Sequence, residues 1–363
     1  MRILIDIGHP AHVHLFKNLY FILKKKKHDL FITVKSNLES AKQLLLIYKI
    51  PFIPIGSKSD SIILKGVKQI VYDLSILLLI RKYKIDIGLG TSLNLAHASK
   101  LSGLKSIILD DDDDEVEPLF AKLAHPFCDV LLSPDSLKGK RAKKDTIYYP
   151  GFHELAYLHP KRFIPDVDIL KEAGINQKEK YFVLRFNSFK AHHDIKSKGL
   201  SLSAKKELID ILKSKGKIFI TTEREIESEF SNYQIKLTPD KIHSLLYYAT
   251  MFIGDSQTMT SEAAILGTPA IRSNTFVGKI SYLEEEEKYG LTYGFKPYHI
   301  REMFAKINEL LTMPDLKKEW QERKRKMLSE KIDLTAFLDW FIENFPNSKD
   351  LIRQCPNIFR EFS

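Results

Sequence analysis

Two cysteines in 363 residues, Cys128 and Cys355, leave no disulfide framework, and their separation provides no metal-ligand spacing. Such sparing use suits a reducing cytoplasm. No apolar run is long enough to cross a bilayer. The longest candidate, Ile62 to Ile80, is broken by Lys65, Lys68 and Asp73, and the unbroken stretch Ile76 to Ile80 is too short. The opening residues, Met1-Arg2-Ile3-Leu4-Ile5-Asp6, enter a strand pattern directly, without the charged n-region and cleavage site of an export signal, so a cytoplasmic location is expected. The Gly-x-Gly-x-x-Gly fingerprint is missing, so no redox cofactor is expected. Zinc spacings and aromatic-interleaved basic stripes are missing too, and nucleic acid is not an expected partner.

Present instead is an excess of positive charge, formally +10, with basic runs at Lys24 to Lys27, Lys138 to Lys144 and Arg323 to Lys326. It favours anionic partners: a nucleotide-sugar, or an anionic membrane touched peripherally at its inner face. Taken singly, each run reads more simply as solvated lysines. The length and a 44% hydrophobic content allow two domains, each with its own core.

Strand and helix patterns alternate along the chain, the mark of an α/β fold with repeated βα winding. Strand Ile3-Leu4-Ile5 leads through Gly8, His9, Pro10 and His12 into a helix whose apolar face is Val13, Phe16, Leu19, Tyr20 and Leu23. His9, His12 and His14 therefore crowd the carboxyl end of the first strand, where open α/β sheets bind ligands. For His9 and His14, capping and packing are the simpler roles. Strand Ser106 to Leu109 runs into the acidic stretch Asp110 to Asp114. This stretch reads as a metal site or as the N-terminus of a helix whose dipole favours acids, and the second is preferred; Asp110 and Asp111 are expected to face the cleft in catalytic roles. Pro150 to Pro165 is punctuated like a linker, so the expected division is a first domain 1–150, a linker 151–166, a second domain 167–345 and a tail 346–363.

The most informative stretch is Phe252 to Ile271, read as strand, polar turn, helix, Gly267 stop and strand. Gly254, Asp255, Ser256, Gln257 and Thr258 put hydroxyls and backbone N–H groups at a helix start, an anion site. Glu262, one turn inside, stands at the distance that separates a diphosphate from the ribose hydroxyls of a nucleotide. A capped turn followed by a solvated Glu is the plain alternative.

The string Asp255-Ser256 to Glu262-Ala263-Ala264, followed by Leu266-Gly267-Thr268-Pro269, resembles the donor-site motif of GT-B proteins, especially the UDP-N-acetylglucosamine 2-epimerases. In that family the turn holds the diphosphate and the Glu binds the ribose; Gln257 and Thr258 stand where it has two glycines. The resemblance implies a phosphate loop at Arg185, His192, His193 and Asp194, and a nucleotide-base contact at Leu237-Thr238. The first loop is similar to that of the bacterial N-acetylglucosaminyl transferase completing lipid II, and His12 matches its loop histidine, implying a base for an acceptor hydroxyl. With His9-Pro10-Ala11-His12-Val13-His14, Pro150-Gly151-Phe152-His153 and Ala191-His192-His193-Asp194, the chain up to about residue 345 resembles a GT-B-like family catalogued as domain of unknown function 354.

The expectation is thus a GT-B-like α/β protein, two doubly wound Rossmann-like domains facing a cleft. It is expected to act, without metal or cofactor, as a glycosyltransferase for a UDP-linked sugar donor. The acceptor is a sugar or lipid-linked sugar, in surface polysaccharide or glycoconjugate synthesis. An epimerase or nucleotide-sugar hydrolase is the alternative. The epimerase motif Gly-Asp-Thr appears as Gly90-Thr91-Ser92, lacking its Asp, although the acidic run is a possible substitute. A non-catalytic nucleotide-sugar-binding protein is the third reading.

Overall fold

Runs such as Ile3-Leu4-Ile5, Val130-Leu131-Leu132, Phe182-Val183-Leu184 and Met251-Phe252-Ile253 are apolar without alternation and almost wholly buried, the signature of parallel strands covered by helices on both faces. The computed structural model describes residues 1–56, 62–176, 179–186, 199–222 and 226–363. These form two compact units, Met1–Arg162 with Lys331–Ser363, and Phe163–Glu330.

Unit 1 holds strands β1 (Arg2–Ile7), β2 (Asp29–Lys35), β3 (Ile53–Ile55), β4 (Ile87–Gly90), β5 (Lys105–Leu109), β6 (Val130–Pro134) and β7 (Ile147–Tyr149), in the order β3-β2-β1-β4-β5-β6-β7. Every pairing is parallel. The order reverses between β1 and β4, whose carboxyl ends form the crevice in which such sheets bind ligands. Buried Asp6 fixes that edge. It accepts the hydroxyls of Thr33 (2.7 Å), Tyr72 (2.8 Å) and Ser92 (2.5 Å), tying β1 to β2, to the helix Ile62–Tyr83 and to the loop after β4.

Unit 2 is a parallel sheet of β8 (Tyr181–Arg185), β9 (Lys217–Thr221), β10 (Met251–Gly254), β11 (Ala270–Ser273) and β12 (Thr292–Phe295), in the order β12-β11-β10-β8-β9. Its order reverses between β8 and β10. Beyond β9 a single isolated rung pairs Gln234 with Ile220, before the chain turns into a 3-10 helix at Pro239–Lys241.

The expected domain limits change at the C-terminal end. The helix Leu334–Glu343 belongs to unit 1 and not to the second domain. Its apolar stripe carries Phe337, fully buried 6.0 Å from the Tyr149 ring, while Thr335 Oγ1 donates to the Ala156 carbonyl (2.7 Å) and Asp333 pairs with Arg162 (2.7 Å). The expected linker is likewise largely internal to unit 1, with Phe152, Leu155, Ala156, Tyr157 and Leu158 all buried.

Candidate functional site

At the unit 1 switch point β1 gives way to Gly8 and His9, and the helix Pro10–Lys25 begins. His9 is the N-cap, its Nδ1 accepting the Ala11 N–H at 3.2 Å, so its side chain is engaged in the helix start. The Gly8 N–H donates to His12 Nδ1 (3.2 Å). That bond corrects the role expected for His12. A neutral imidazole accepting at Nδ1 carries its proton at Nε2, so it presents a donor and no free lone pair. Burial, with His9 and His153 nearby and only Asp111 opposing, lowers its pKa to about 3. Such a group is a poor base and a stable neutral donor.

The acidic stretch also differs from expectation. The helix that follows begins only at Pro118 and has no acid in its first turn, so its dipole is not what holds the run. The holder is Arg141, whose side chain is fully buried. It donates to the carbonyls of Asp110 (2.6 Å) and Asp112 (2.5 Å), to Asp114 Oδ1 (2.5 Å) and to Ser133 Oγ (3.1 Å). Asp110 is consumed by this clamp: Oδ2 lies 2.7 Å from His125 Nε2 and 3.2 Å from Arg141, and Oδ1 accepts the Asp112 N–H. Both of its oxygens are thus engaged within the loop, which argues against the catalytic role expected of it. Asp110, Asp114 and His125 could by spacing hold a cation, but the guanidinium lies among them and supplies the charge.

Asp111, half-buried, pairs with His153 Nδ1 at 3.0 Å. Burial pushes the Asp111 carboxyl up, yet the His153 imidazole and its hydrogen bond outweigh this and hold it below the usual value. Burial pushes His153 down, and Asp111 with Asp110 and Asp112 carries it the other way, above 6.5. Asp112 rises to about 8 through burial and the charges of Asp111 and Asp110, one oxygen of each lying within 4.8 Å. Two adjacent carboxyls driven in opposite directions are how an acid and a base are made from one residue type. Beside them, His153 Nε2 and the Tyr149 hydroxyl are buried without a hydrogen-bond partner among the described residues. Buried polar atoms are rarely left so, and such exceptions gather where ligands bind.

His153, Asp112 and Arg141 were not singled out in the sequence. His153 sat in a string read as linker, and Arg141 in a basic run read as solvated. Only the Pro-Gly-Phe-His punctuation, set just after a strand, hinted at the first.

The proton ladder predicts a pH dependence of folding. His153 and Asp112 both bind protons more tightly folded than unfolded. The stability from His153 is complete below pH 6.5 and lost as pH rises through its raised value; that from Asp112 is complete below about 4 and lost by about 8. The melting temperature of unit 1 should therefore fall between about pH 6.5 and 8, and Asp112→Asn should flatten the slope in calorimetric scans. An unchanged slope would remove Asp112 from this account.

In unit 2 the switch point joins Arg185, the last residue of β8, to Gly254 and Asp255 at the end of β10; the Asp255 N–H donates to the Arg185 carbonyl (3.2 Å). Asn274 Nδ2 donates to the Asp255 carbonyl (2.9 Å) and holds the turn from the other side. Ser256 caps the helix Gln257–Leu266, its Oγ accepting the Met259 N–H at 3.3 Å. The N–H groups of Gln257 and Thr258, both half-buried, lie in the first turn of this helix, ahead of its hydrogen-bonded ladder. Glu262 is buried one turn on, Oε1 2.9 Å from His243 Nε2. It is a held carboxylate and not a solvated one. Leu237 is half-buried and Thr238 exposed, just before Pro239. His192, His193 and Asp194 lie outside the described residues.

Two parallel Rossmann-like units are the architecture of GT-B glycosyltransferases and UDP-N-acetylglucosamine 2-epimerases. The chain belongs to the family described as "Protein of unknown function (DUF354)", whose model matches residues 1–292. An uncharacterized protein of Methanocaldococcus jannaschii is 26% identical over 300 residues, covering 78% of this chain and 85% of that one. Among solved structures, S. aureus MnaA with UDP superposes with a TM-score of 0.67 at 13% identity, over 96% of this chain and 97% of that one. The UDP-GlcNAc 2-epimerase of Neisseria meningitidis bound to UDP-GlcNAc follows at 0.65 and 12%, over 98% and 99%. The glycosyltransferase SsfS6 of a Streptomyces species gives 0.60 and 11%, over 93% and 99%. At these identities the likeness is one of fold. No helix among the described residues is long and apolar enough to cross a membrane.

Proposed function

We propose that the chain is a glycosyltransferase using a UDP-linked sugar, with unit 2 holding the nucleotide and unit 1 handling the proton of an acceptor hydroxyl in surface polysaccharide or glycoconjugate synthesis. The observation that carries this reading is the Asp111–His153 pair, 3.0 Å apart, with Nε2 buried and without a hydrogen-bond partner among the described residues. Asp111 orients the imidazole through Nδ1, neutral His153 takes the acceptor proton at Nε2, and Asp111 stabilises the resulting imidazolium. His12 donates from Nε2 to a substrate oxygen. In unit 2 the N–H groups of Gln257 and Thr258, near Arg185, receive the diphosphate as it leaves with growing charge. Glu262, positioned by His243, accepts the ribose hydroxyls.

Epimerase chemistry is a second reading, favoured by the opposed carboxyls: Asp111 as base and protonated Asp112 as acid. Calorimetry of UDP, in EDTA, is the first test. Glu262→Gln should weaken binding by about 1.5–3 kcal/mol, roughly 10- to 100-fold. The amide is chosen because it keeps a side chain of the same size and an oxygen beside buried His243, which alanine would not. Unchanged affinity would remove unit 2 from the reading. Acceptor-free incubation with UDP-N-acetylglucosamine then separates the two chemistries, since only an epimerase yields a new sugar isomer by NMR.

A further inference from the structure

We infer that unit 1 docks on an anionic lipid surface through the outer face of three neighbouring helices, Ile62–Tyr83, Leu93–Ser102 and Pro118–Ala124. The inference is independent of the sugar-nucleotide reading. These helices pack side by side. Their inner sides supply Tyr72, Ile76, Ile80, Leu95, Ala98 and Ala124 to one core cluster. A surface helix normally turns its apolar stripe to the core and its polar residues to solvent. The helix Ile62–Tyr83 departs from this: Ile70, Leu74 and Leu78, at i, i+4 and i+8, are 61%, 53% and 66% exposed. Leu101 and Leu119, on the next two helices, are 66% and 71% exposed, and Leu123 adds to them. An exposed apolar face of this extent marks an interaction site.

Charge identifies the occupant. In sequence the three helices contain one acid, Asp73, and it is turned inward onto Asn94 (2.7 Å) and His97 (3.0 Å). Arg81, Lys82, Lys100 and Lys122 stand on or near their C-terminal turns, with Lys84 and Lys105 just beyond. All three helices run back from the carboxyl edge of a parallel sheet, so these cations gather at the opposite, amino edge. There a depression of about 470 Å³ is lined by Arg81, Lys84, Ser102 and Asp86, whose Oδ2 accepts the Arg2 N–H. Apolar residues bordered along one edge by cations are how a helical face lies in the headgroup layer of an anionic membrane.

The test is sedimentation of the full chain with vesicles. Binding to vesicles of equal parts phosphatidylcholine and phosphatidylglycerol should exceed binding to pure phosphatidylcholine by at least roughly tenfold and weaken with salt. Leu78→Ser with Leu101→Ser and Leu123→Ser, or Arg81→Gln with Lys82→Gln and Lys100→Gln, should each abolish most of it. All six sites are exposed or rim positions, so melting temperatures should hold. Equal binding to both vesicle types overturns the inference. So does absence of binding, and if the chain is then a dimer that the leucine variants dissociate, the face belongs to a second copy.

Discussion

Asp111→Asn and His153→Ala are each expected to lower kcat by roughly 10²–10⁴-fold, the effect of losing a general base, while UDP affinity stays unchanged. The double variant should be little worse than either single one, because residues acting as a unit are not additive. His12→Ala is expected to cost less, since a neutral donor contributes a hydrogen bond and not a proton transfer. The pH–rate profile separates the two roles. Activity should require His153 to be neutral, and the acidic limb should lie above pH 6.5, following its upward shift. His12, lowered to about 3, is neutral throughout that range and cannot set the limb. Full activity in both Asp111→Asn and His153→Ala would take the proton chemistry out of this pair.

Arg141→Ala should produce the largest loss of stability in unit 1. Its guanidinium, fully buried, is the counter-charge of Asp110 and Asp114 and the donor to two carbonyls of the same loop. Removing one partner of a buried ion pair typically costs about 3–5 kcal/mol, because the other charges stay buried without it. For a unit of this size that corresponds to a melting shift of roughly 10 °C or more. Arg141→Lys should recover little, since an ammonium cannot reproduce a fork that reaches several acceptors. Adding Asp114→Asn to Arg141→Ala should restore part of the loss by removing one unpaired charge. A shift of only a degree or two would mean that the acidic loop holds itself.

The alternation of βα units and the turn at Ser256 were legible because both rest on local rules: unbroken apolar runs for buried parallel strands, and a hydroxyl N-cap before a helix. The acid–base group was not. His153 lies 42 positions beyond Asp111 in the numbering, and Arg141 lies 31 beyond Asp110, so neither pairing leaves a spacing to read. His12 was found by place, yet its role depended on which ring nitrogen meets the Gly8 N–H, which only coordinates reveal. The limit drawn at residue 345 enclosed the C-terminal helix with the second domain, because a continuous stretch of sequence does not mark where the chain returns to the first unit.

One rung recurs in both sheets. Asp6 pairs across to Gly90 where β1 meets β4, and Arg185 to Gly254 where β8 meets β10. A Cβ on Gly90 would lie 2.9 Å from the Asp6 carbonyl oxygen, and one on Gly254 would overlap the Arg185 carbonyl. The floor of each crevice is therefore made of main chain, which has no side chain to exchange. Its width is a constant of the scaffold, indifferent to repacking nearby. Selectivity among substrates then has to be written in the loops above that floor, and those loops are the parts that can be transplanted between relatives while the two glycine rungs are kept.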